Sequence, residues 1–414
     1  MEILEIAQEI KNEGGNLYLV GGAVRDEIMD KRKHDEDYCV TGLTSEEFLN
    51  LFPKSHTRGK CFKVYELENK EFALARRERK SGKGHKEFEI VTGKYITIEQ
   101  DLARRDITVN SMAKEILTGK IIDPFGGIED IKNKIIRATS NAFSEDPLRV
   151  YRVARFAAQL NFKVDDNTLR LMNTLKGELN TLSKERIFDE FRKALSQDEP
   201  SIFFEVLRKA NVLDVHFKEI YNLIGALQPI KYHPEGDAYN HTLIVLDEIS
   251  KHAEDLKIRF AGLVHDLGKG VTPKEEYPHH YGHDIKGASV VKEFGKNLNL
   301  PNSWIKCGVT SATEHMRGGI FFEMKPAKQV DFLEKVEKSY LGLDGLQLIV
   351  NADKGIREPV KNFANLGKKL LKEINGEYIL SKFGKIDGLK MKQKLHEERI
   401  KFVENEFPNL LRKY

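Results

Sequence analysis

The hydrophobic pattern changes once along the chain, near Pro147, and this change limits the folds available to it. Before this point, helical patterns are mixed with short β-rich runs, namely LYLVGG, DYCVTG, KVYEL, FALAR and KIIDPFGG. After it, apolar residues recur at helical spacing, as in LRVYRVARFAAQL and RIFDEFRKAL. The sequence therefore predicts an α+β domain over the first ~140 residues, followed by a mostly helical remainder.

Length, charge and cysteine content limit the number of domains, the kind of nucleic-acid surface and the location to be expected of this chain. At 414 residues the chain is longer than one hydrophobic core usually organises, so more than one domain is expected. Its formal net charge of +3 is nearly neutral, so a nucleic-acid surface must come from local clustering. The three cysteines form no CxxC pair, and neither a signal peptide nor a long apolar run is present. We expect a cytoplasmic protein without a membrane segment.

The first candidate binding and catalytic residues follow an apolar strand in YLVGGAVRDEIMDKRKHDEDYCV. Gly21 and Gly22 allow the backbone to approach a phosphate at a strand-to-helix turn, and Arg25 lies one turn into the helix. Asp35 and Asp37 are two residues apart in an extended segment, so their carboxylates point to the same side. Such a pair can hold Mg²⁺ ions for phosphoryl transfer.

Each of these fragments alone has a structural explanation, because a double glycine or two nearby aspartates are common in turns. Together and in this order they resemble the polymerase-β-like nucleotidyltransferases, in particular the class II group of bacterial CCA-adding enzymes and poly(A) polymerases. Four later segments resemble class II signatures in the same order: DLARRDITVNSMA at 101–113, DPFGGIEDIKNKIIR at 123–137, FSEDPLRVYRVARF at 143–156 and SKERIFDE at 183–190.

The resemblance implies roles in the first of these segments. Arg105 corresponds to a triphosphate-binding arginine, while Asp106 and Asn110 would hold the sugar and the adjoining turn. The alternative is that Asp106 or Thr108 caps a helix begun by NSMAKEI.

The third segment carries the residues expected to select the base. Asp146, Arg149, Arg152 and Arg155 recur every three residues, which places them on one helix face. The resemblance implies that Asp146 and Arg149 read the Watson–Crick edge of C and A, with Arg152 and Arg155 as further nucleotide-binding positions. The alternative makes Asp146 an N-cap before Pro147, with the arginines on a solvated face.

A basic segment lies between these motifs. ARRERKSGKGHKEF, from Ala75 to Phe88, is expected to be a flexible basic loop, where the family has a loop needed for adding the terminal A. Glu71, just before it, is a weak candidate for a third metal-binding carboxylate.

Histidines cluster in the second half of the chain. FAGLVHDLGKG, with adjacent His265 and Asp266, resembles the HD superfamily of metal-dependent phosphohydrolases. The resemblance implies that His241 and Asp353 complete a divalent metal site, with Ni²⁺ or Mg²⁺ as candidate ions. Further candidates for phosphate or a second metal are His280, His283 and His315. His279 is given no role.

The motifs together are closest to CCA-adding enzymes with a C-terminal HD domain, as in the enterobacterial type. The expected architecture is a polymerase-β-like α+β head and an all-α body that includes a helical HD domain. The expected domains are the head at 15–138, a helical neck at 139–228, the HD domain at 229–361 and a helical tail at 362–414.

The resemblance also implies activities and partners. The chain would add CCA to the tRNA acceptor end from CTP and ATP with Mg²⁺, and hydrolyse 2′,3′-cyclic phosphates and 2′-nucleotides at the HD site. The alternatives are a poly(A) polymerase, and an HD phosphohydrolase with a non-catalytic RNA-binding head. The chain is expected to be a monomer or a homodimer.

Overall fold

The computed structural model describes residues 1–31, 36–59, 63–80, 88–355 and 362–411. The chain forms two compact units. The first consists of residues 1–190 and 202–215, and the second of residues 191–201 and 216–414. The four-domain division expected from the sequence stays a prediction.

The first unit is built around a mixed seven-stranded sheet of order β3-β4-β5-β2-β1-β8-β9. Strand β2 runs parallel to β5, whereas the other neighbours in this sheet are antiparallel. The strands of this unit are β1 (Asn16–Val20), β2 (Asp37–Thr41), β3 (His56–Arg58), β4 (Val64–Leu67), β5 (Lys70–Leu74), β6 (Arg76–Lys80), β7 (Phe88–Thr92), β8 (Ala113–Glu115), β9 (Ile121–Ile122), β10 (Ile135–Ile136) and β11 (Lys163–Val164).

The register of the central strands decides which polar residues meet. Val20, the last residue of β1, pairs with Asp37, the first residue of β2. Asp37 in turn pairs with Glu71 of the parallel strand β5. Paired residues of neighbouring strands point to the same face of a sheet, so Asp37 and Glu71 lie side by side next to the turn that follows β1.

Helix α6 shows why the chain becomes helical after Pro147. Its apolar residues recur at helical spacing, and Val150, Val153 and Ala154 are fully buried. The helix ends where Asn161 adopts a left-handed conformation with φ of 53°. In chain order, the helices of the described residues up to residue 216 are α1 (Ile3–Asn12), α2 (Gly22–Ile28), α3 (Ser45–Leu51), α4 (Ile98–Ala103), α5 (Gly127–Asn133), α6 (Arg149–Leu160), α7 (Asp166–Thr174), α8 (Lys184–Leu195), α9 (Ser201–Lys209) and α10 (Leu213–His216).

The second unit is helical. The remaining helices are α11 (Lys218–Tyr221), α12 (Ala238–Ser250), α13 (Leu256–Val264), α14 (His283–Asn297), α15 (Asn302–Gly319), α16 (Pro326–Glu337), α17 (Gly342–Lys354), α18 (Phe363–Glu373), α19 (Gly376–Phe383) and α20 (Gly388–Leu411). Helix α15 packs against α13, α14 and α17.

Gly268 lies where the turn after α13 meets the start of α14, and a Cβ there would come within 1.9 Å of the His283 carbonyl oxygen. Only glycine permits this approach.

The C-terminal segment KQKLHEERIKFVENEF lies within helix α20 and buries an apolar face. Helix α20 packs on α16 and α18, and Val403 and Phe407 join the hydrophobic core around Phe332 and Phe363. Among the described residues, no helix combines the length and hydrophobicity that crossing a membrane requires.

Two local expectations are wrong. NSMAKEI forms no α-helix: a short 3-10 turn at Thr108–Asn110 leads into β8, because this segment pairs with β1 and extends the sheet. Part of the expected basic loop, Arg76–Lys80, is strand β6 and pairs with β7 as a hairpin. Residues 81–87 lie outside the described residues.

Candidate active sites

The double glycine forms the turn between β1 and α2, and two arginines lie against it. Gly21 has a φ of 73°, a conformation that favours glycine. A Cβ on Gly21 would lie 2.9 Å from Nη1 of Arg105, and one on Gly22 would lie 3.4 Å from Nη2 of Arg25. Nη1 of Arg25 donates to Oδ1 of Asn110 at 2.6 Å. The four residues expected at the triphosphate therefore lie close together, with Asn110, expected to hold the sugar and the turn, beside them.

Asp101 is a residue of this site that the sequence analysis missed. Its carboxylate is 1% exposed and accepts hydrogen bonds from Nε of Arg104 at 2.9 Å and from Nη2 of Arg105 at 3.3 Å. Burial raises the pKa of Asp101, but the charges of Arg104 and Arg105 outweigh burial and hold that pKa below its usual range. The available signal was its position one helical turn before Arg105.

The expected metal-binding carboxylates are only partly described. Asp37 is exposed at the start of β2, and Asp35 lies outside the described residues. Asp37 and Glu71 line one pocket together with Asp101 and Arg105. Adjacent carboxylate oxygens are hard ligands that suit Mg²⁺, so the residues present fit this ion. The register with Asp37 strengthens the case for Glu71.

Asp106 and the arginines of α6 form an ion-pair network. Oδ2 of Asp106 accepts from Nε of Arg152 at 2.7 Å. Burial raises the pKa of Asp106, but the Arg152 charge and hydrogen bond lower it further than burial raises it. Nε of Arg155 donates to Glu190 at 2.6 Å, and its guanidinium lies 3.7 Å from the centre of the Phe156 ring.

The residues expected to select the base are both held by neighbours. Oδ1 of Asp146 accepts the backbone N–H of Leu148 at 3.0 Å, and Oδ2 accepts from Nη2 of Arg186 at 2.9 Å. Arg149 is buried and donates to the backbone carbonyls of Ala142 and Arg104. Asp146 thus accepts the Leu148 N–H and pairs with Arg186 at once, but the N-cap of α6 is Leu148, so the alternative that makes Asp146 an N-cap is wrong.

Arg186 and Glu190 were overlooked, although both lie in the quoted segment SKERIFDE. They are four residues apart on α8, so they share one helix face. That face supplies the partners of Asp146 and Arg155 on α6.

The second unit gathers four expected metal ligands. They come from α12, from the end of α13 and from the last turn of α17, and their ligand atoms lie within 4.8 Å of one another: His241, His265, Asp266 and Asp353. Nε2 of His241 lies 3.0 Å from Oδ1 of Asp353, and Nε2 of His265 lies 3.2 Å from Oδ2 of Asp266. His265 and Asp266 are almost fully buried.

Two further histidines approach the other oxygen of Asp266. Nε2 of His283 and Nε2 of His315 each lie 3.4 Å from Oδ1 of Asp266. Asp266, His283 and His315 therefore form a second candidate metal-binding group that shares Asp266 with the first. Lys269, which the sequence analysis passed over in FAGLVHDLGKG, places Nζ 2.5 Å from Oδ2 of Asp266.

His280 does not belong to either group. Its Nε2 contacts the carbonyl oxygen of Leu227 at 2.9 Å and its Nδ1 contacts Oγ1 of Thr272 at 3.0 Å. Both ring nitrogens are thus engaged in holding loops together.

The charge arrangement of this centre suits a cation. Burial raises the pKa of Asp266, but the neighbouring His265 and Lys269 charges hold it well below its usual range. Burial lowers the pKa of His265, but the Asp266 carboxylate and then Asp353 raise it to about 10. Imidazole nitrogens and carboxylate oxygens converging in a buried site are a donor set for divalent metals, so the residues present fit such an ion.

Known protein families match three parts of the chain. Residues 17–137 match the Poly A polymerase head domain, residues 161–223 match the probable RNA and SrmB-binding site of polymerase A, and residues 238–338 match the HD domain. The predicted head, helical body and HD domain are confirmed as the fold class.

Solved structures share the fold. The apo form II of a CCA-adding enzyme superposes with a TM-score of 0.65 at 18% identity, covering 99% of this chain and 94% of that one. The Bacillus stearothermophilus CCA-adding enzyme in complex with CTP gives a TM-score of 0.60 at 22% identity, covering 98% and 93%.

Curated relatives are much closer in sequence. The multifunctional CCA protein of Pseudoalteromonas atlantica is 40% identical over 401 residues, which is 93% of this chain and 98% of the relative. That of Shewanella denitrificans is 44% identical over 326 residues, covering 77% of this chain and 78% of the relative. At this identity and coverage, the chain belongs to the multifunctional CCA protein family.

Proposed function

We propose that the chain adds the 3′-terminal CCA of tRNA from CTP and ATP, and hydrolyses phosphate esters at a second, separate centre. The observation that best supports the nucleotide-addition activity is the register of β1, β2 and β5, which places Asp37 and Glu71 beside the Gly21 turn. Family membership supports both activities.

In the head, positioning and charge neutralisation would supply the catalysis. Arg105 and Arg25 lie against the glycine turn and would bind the triphosphate, with Asp101 and Asn110 fixing the two guanidinium groups. Asp37, together with Asp35 and with Glu71 as a third carboxylate, would hold Mg²⁺. That ion would lower the pKa of the tRNA 3′-hydroxyl and neutralise the departing pyrophosphate.

Asp146 and Arg149 remain the proposed base-selecting pair. Arg186 and the Leu148 N–H fix the Asp146 carboxylate, while two backbone carbonyls fix Arg149. A rigid set of donors and acceptors can accept C and A and reject other bases without a nucleic-acid template. Arg152 and Arg155 are tied to acidic partners and would support this face.

In the second unit, Asp266 is shared by two candidate groups of ligands, and we propose that these residues would hold divalent cations. One group adds His241, His265 and Asp353, and the other His283 and His315. When bound by these residues, a divalent ion would supply an acidified water for attack on a phosphate ester. Ni²⁺ and Mg²⁺ are the candidate ions, and 2′,3′-cyclic phosphates and 2′-nucleotides are the candidate substrates.

A template-free addition assay tests the first activity. Purified chain is given tRNA lacking its CCA end, with CTP and ATP separately and together. The proposal expects CC addition from CTP alone and a completed CCA with both nucleotides. Long ATP-only tails would instead support poly(A) polymerase, and no addition would support a non-catalytic head.

Several finer expectations remain proposals. Solved CCA-adding enzymes that share this fold include complexes with CTP, with ATP and with tRNA, and we propose the same partners for this chain. The cytoplasmic location and the monomeric or dimeric state stay predictions.

A further inference from the structure

Glu235 lies behind His241, on the side of the ring away from the other ligands. Its Oε1 atom lies 2.7 Å from Nδ1 of His241 and 3.0 Å from Nδ1 of His233. An ionised carboxylate can only accept hydrogen bonds, so both Nδ1 atoms carry the proton. In a neutral His241 ring, Nε2 then has the lone pair and faces Asp266 and Asp353.

His241 differs in this respect from the other histidines of the two ligand groups. In the described part of the chain, Nδ1 of each of the others contacts a backbone carbonyl: His265 that of Gly262, His283 that of His280, and His315 those of Ser311 and Ala312. Among these four histidines of the described structure, His241 is the one whose Nδ1 is held by a carboxylate. Hydrogen bonds to an ionised acceptor are stronger than those to a neutral one.

We propose that Glu235 is a positioning residue of the metal centre, which fixes the tautomer and orientation of His241 and strengthens Nε2 as a ligand. The inference rests on the metal centre proposed above. It follows from the general behaviour of ligating histidines, whose second ring nitrogen is commonly oriented by an outer carboxylate.

His233 supports Glu235 in turn. It donates a second hydrogen bond to the same oxygen, and its ring packs edge-on against the His241 ring at 4.7 Å between centres. Its side chain is 20% exposed, whereas that of His241 is 5% exposed. Glu235 therefore links a buried ligand to a residue nearer the surface.

Glu235, His233 and His241 are also close enough to hold an ion by themselves. The hydrogen-bond pattern argues against this use, because an ion there would have to displace the Nδ1 protons of both rings. The two interpretations differ in the number of ions bound, so stoichiometry separates them.

The test is calorimetric titration of Ni²⁺ into the metal-stripped full chain, with the unfolding temperature measured with and without Ni²⁺. Glu235→Gln keeps an acceptor oxygen but removes the charge. We expect it to weaken Ni²⁺ binding by about 10- to 100-fold, the usual effect of losing such a partner, without changing the number of ions bound. Glu275→Gln, at an exposed position of the same unit, makes the same charge change and should leave binding as in the wild type.

Three results would overturn the inference. Unchanged affinity in Glu235→Gln would exclude a role in tuning His241, and loss of one bound ion would favour the separate ion site. An equal fall in the unfolding temperature of the metal-free and Ni²⁺-bound forms would show that Glu235 acts only on the fold.

A reference variant separates failure of this inference from failure of the proposed centre. His265→Ala removes a ligand and should abolish Ni²⁺ binding at this site. If His265→Ala binds as the wild type does, the metal centre itself is wrong. If only Glu235→Gln behaves as the wild type, the centre stands and the positioning role falls.

Discussion

Gly21 and Gly22 are adjacent but differ in what an added side chain would meet. At Gly21, φ is positive and a methyl group would displace the Arg105 guanidinium, whereas at Gly22 it would only come into contact with Arg25. This difference assigns the two glycines unequal importance for triphosphate binding.

We therefore predict that Gly21→Ala destabilises the first unit by about 1–3 kcal/mol because of backbone strain. It should also raise KM for CTP and ATP, since Arg105 is moved. Gly22→Ala is the matched control and should have smaller effects on both quantities. Thermal unfolding and steady-state kinetics measure them, and a more severe Gly22→Ala variant would contradict the assignment.

Asp106 makes the first unit sensitive to acid. Its pKa in the folded chain is lowered by Arg152, against the effect of burial, to below the value of about 3.9 expected for an unfolded chain. A lowered folded-state pKa stabilises the fold above the unfolded pKa, and this stabilisation is lost as the pH falls through the folded pKa.

Asp106→Asn should therefore cost about 1–3 kcal/mol at pH 7, the range for a hydrogen bond to a charged group. The cost is kept modest because the Arg152 side chain is 35% exposed. The difference from wild type should shrink below about pH 4. Circular dichroism follows unfolding, and fluorescence of the single tryptophan, Trp304, reports the second unit as a control. A difference independent of pH would contradict the ion-pair account.

Residue chemistry also explains which site residues the sequence could predict. His241 and Asp353 were placed in one metal group although they are 112 residues apart, because the ligand order of a family was recognisable. Asp101, Arg186 and Glu235 were missed, because a carboxylate or guanidinium that positions another side chain has no distinctive spacing of its own. His280, a further candidate for phosphate or a second metal, lies in neither candidate metal group of the described residues.

Helix α8 supplies two side-chain partners to α6, the helix proposed to select the nucleotide. One face of α8 carries Arg186, which holds Asp146, and Glu190, which holds Arg155. Helix α8 thus holds α6 at Asp146, the residue proposed to select the base, and at Arg155.

We predict that Arg186→Ala lowers kcat/KM for CTP and ATP by about 10- to 100-fold, because a misplaced Asp146 orients the base poorly. Insertion of UMP or GMP should rise relative to CMP and AMP. Arg170→Ala, at an exposed position of α7, is the control. Single-nucleotide insertion assays measure the ratio, and unchanged discrimination in Arg186→Ala would contradict the role of α8.

At the element scale, hydrophobic periodicity predicted the secondary structure correctly where one pattern extended over many residues. The helices after Pro147 and the amphipathic helix α20 follow directly from apolar spacing. The helix considered for NSMAKEI does not form, because the three-residue strand β8 in this segment is stabilised by pairing with β1, a partner distant in sequence. Propensity cannot report such long-range pairing.

At the scale of the whole molecule, the two proposed chemistries belong to two separate compact units. Asp37, Arg105 and Asp146 lie in the first, and the histidine–aspartate centre lies in the second. The described residues proposed for each site therefore belong to a single unit.

The most direct test of this account measures both activities on three purified chains: the wild type, Asp37→Asn and His265→Ala. Nucleotide addition is followed on tRNA lacking its CCA end, and hydrolysis on a 2′-nucleotide with added Ni²⁺. The account predicts that Asp37→Asn loses addition but keeps hydrolysis, and that His265→Ala loses hydrolysis but keeps addition. Parallel loss of both activities in either folded variant would contradict two independent sites.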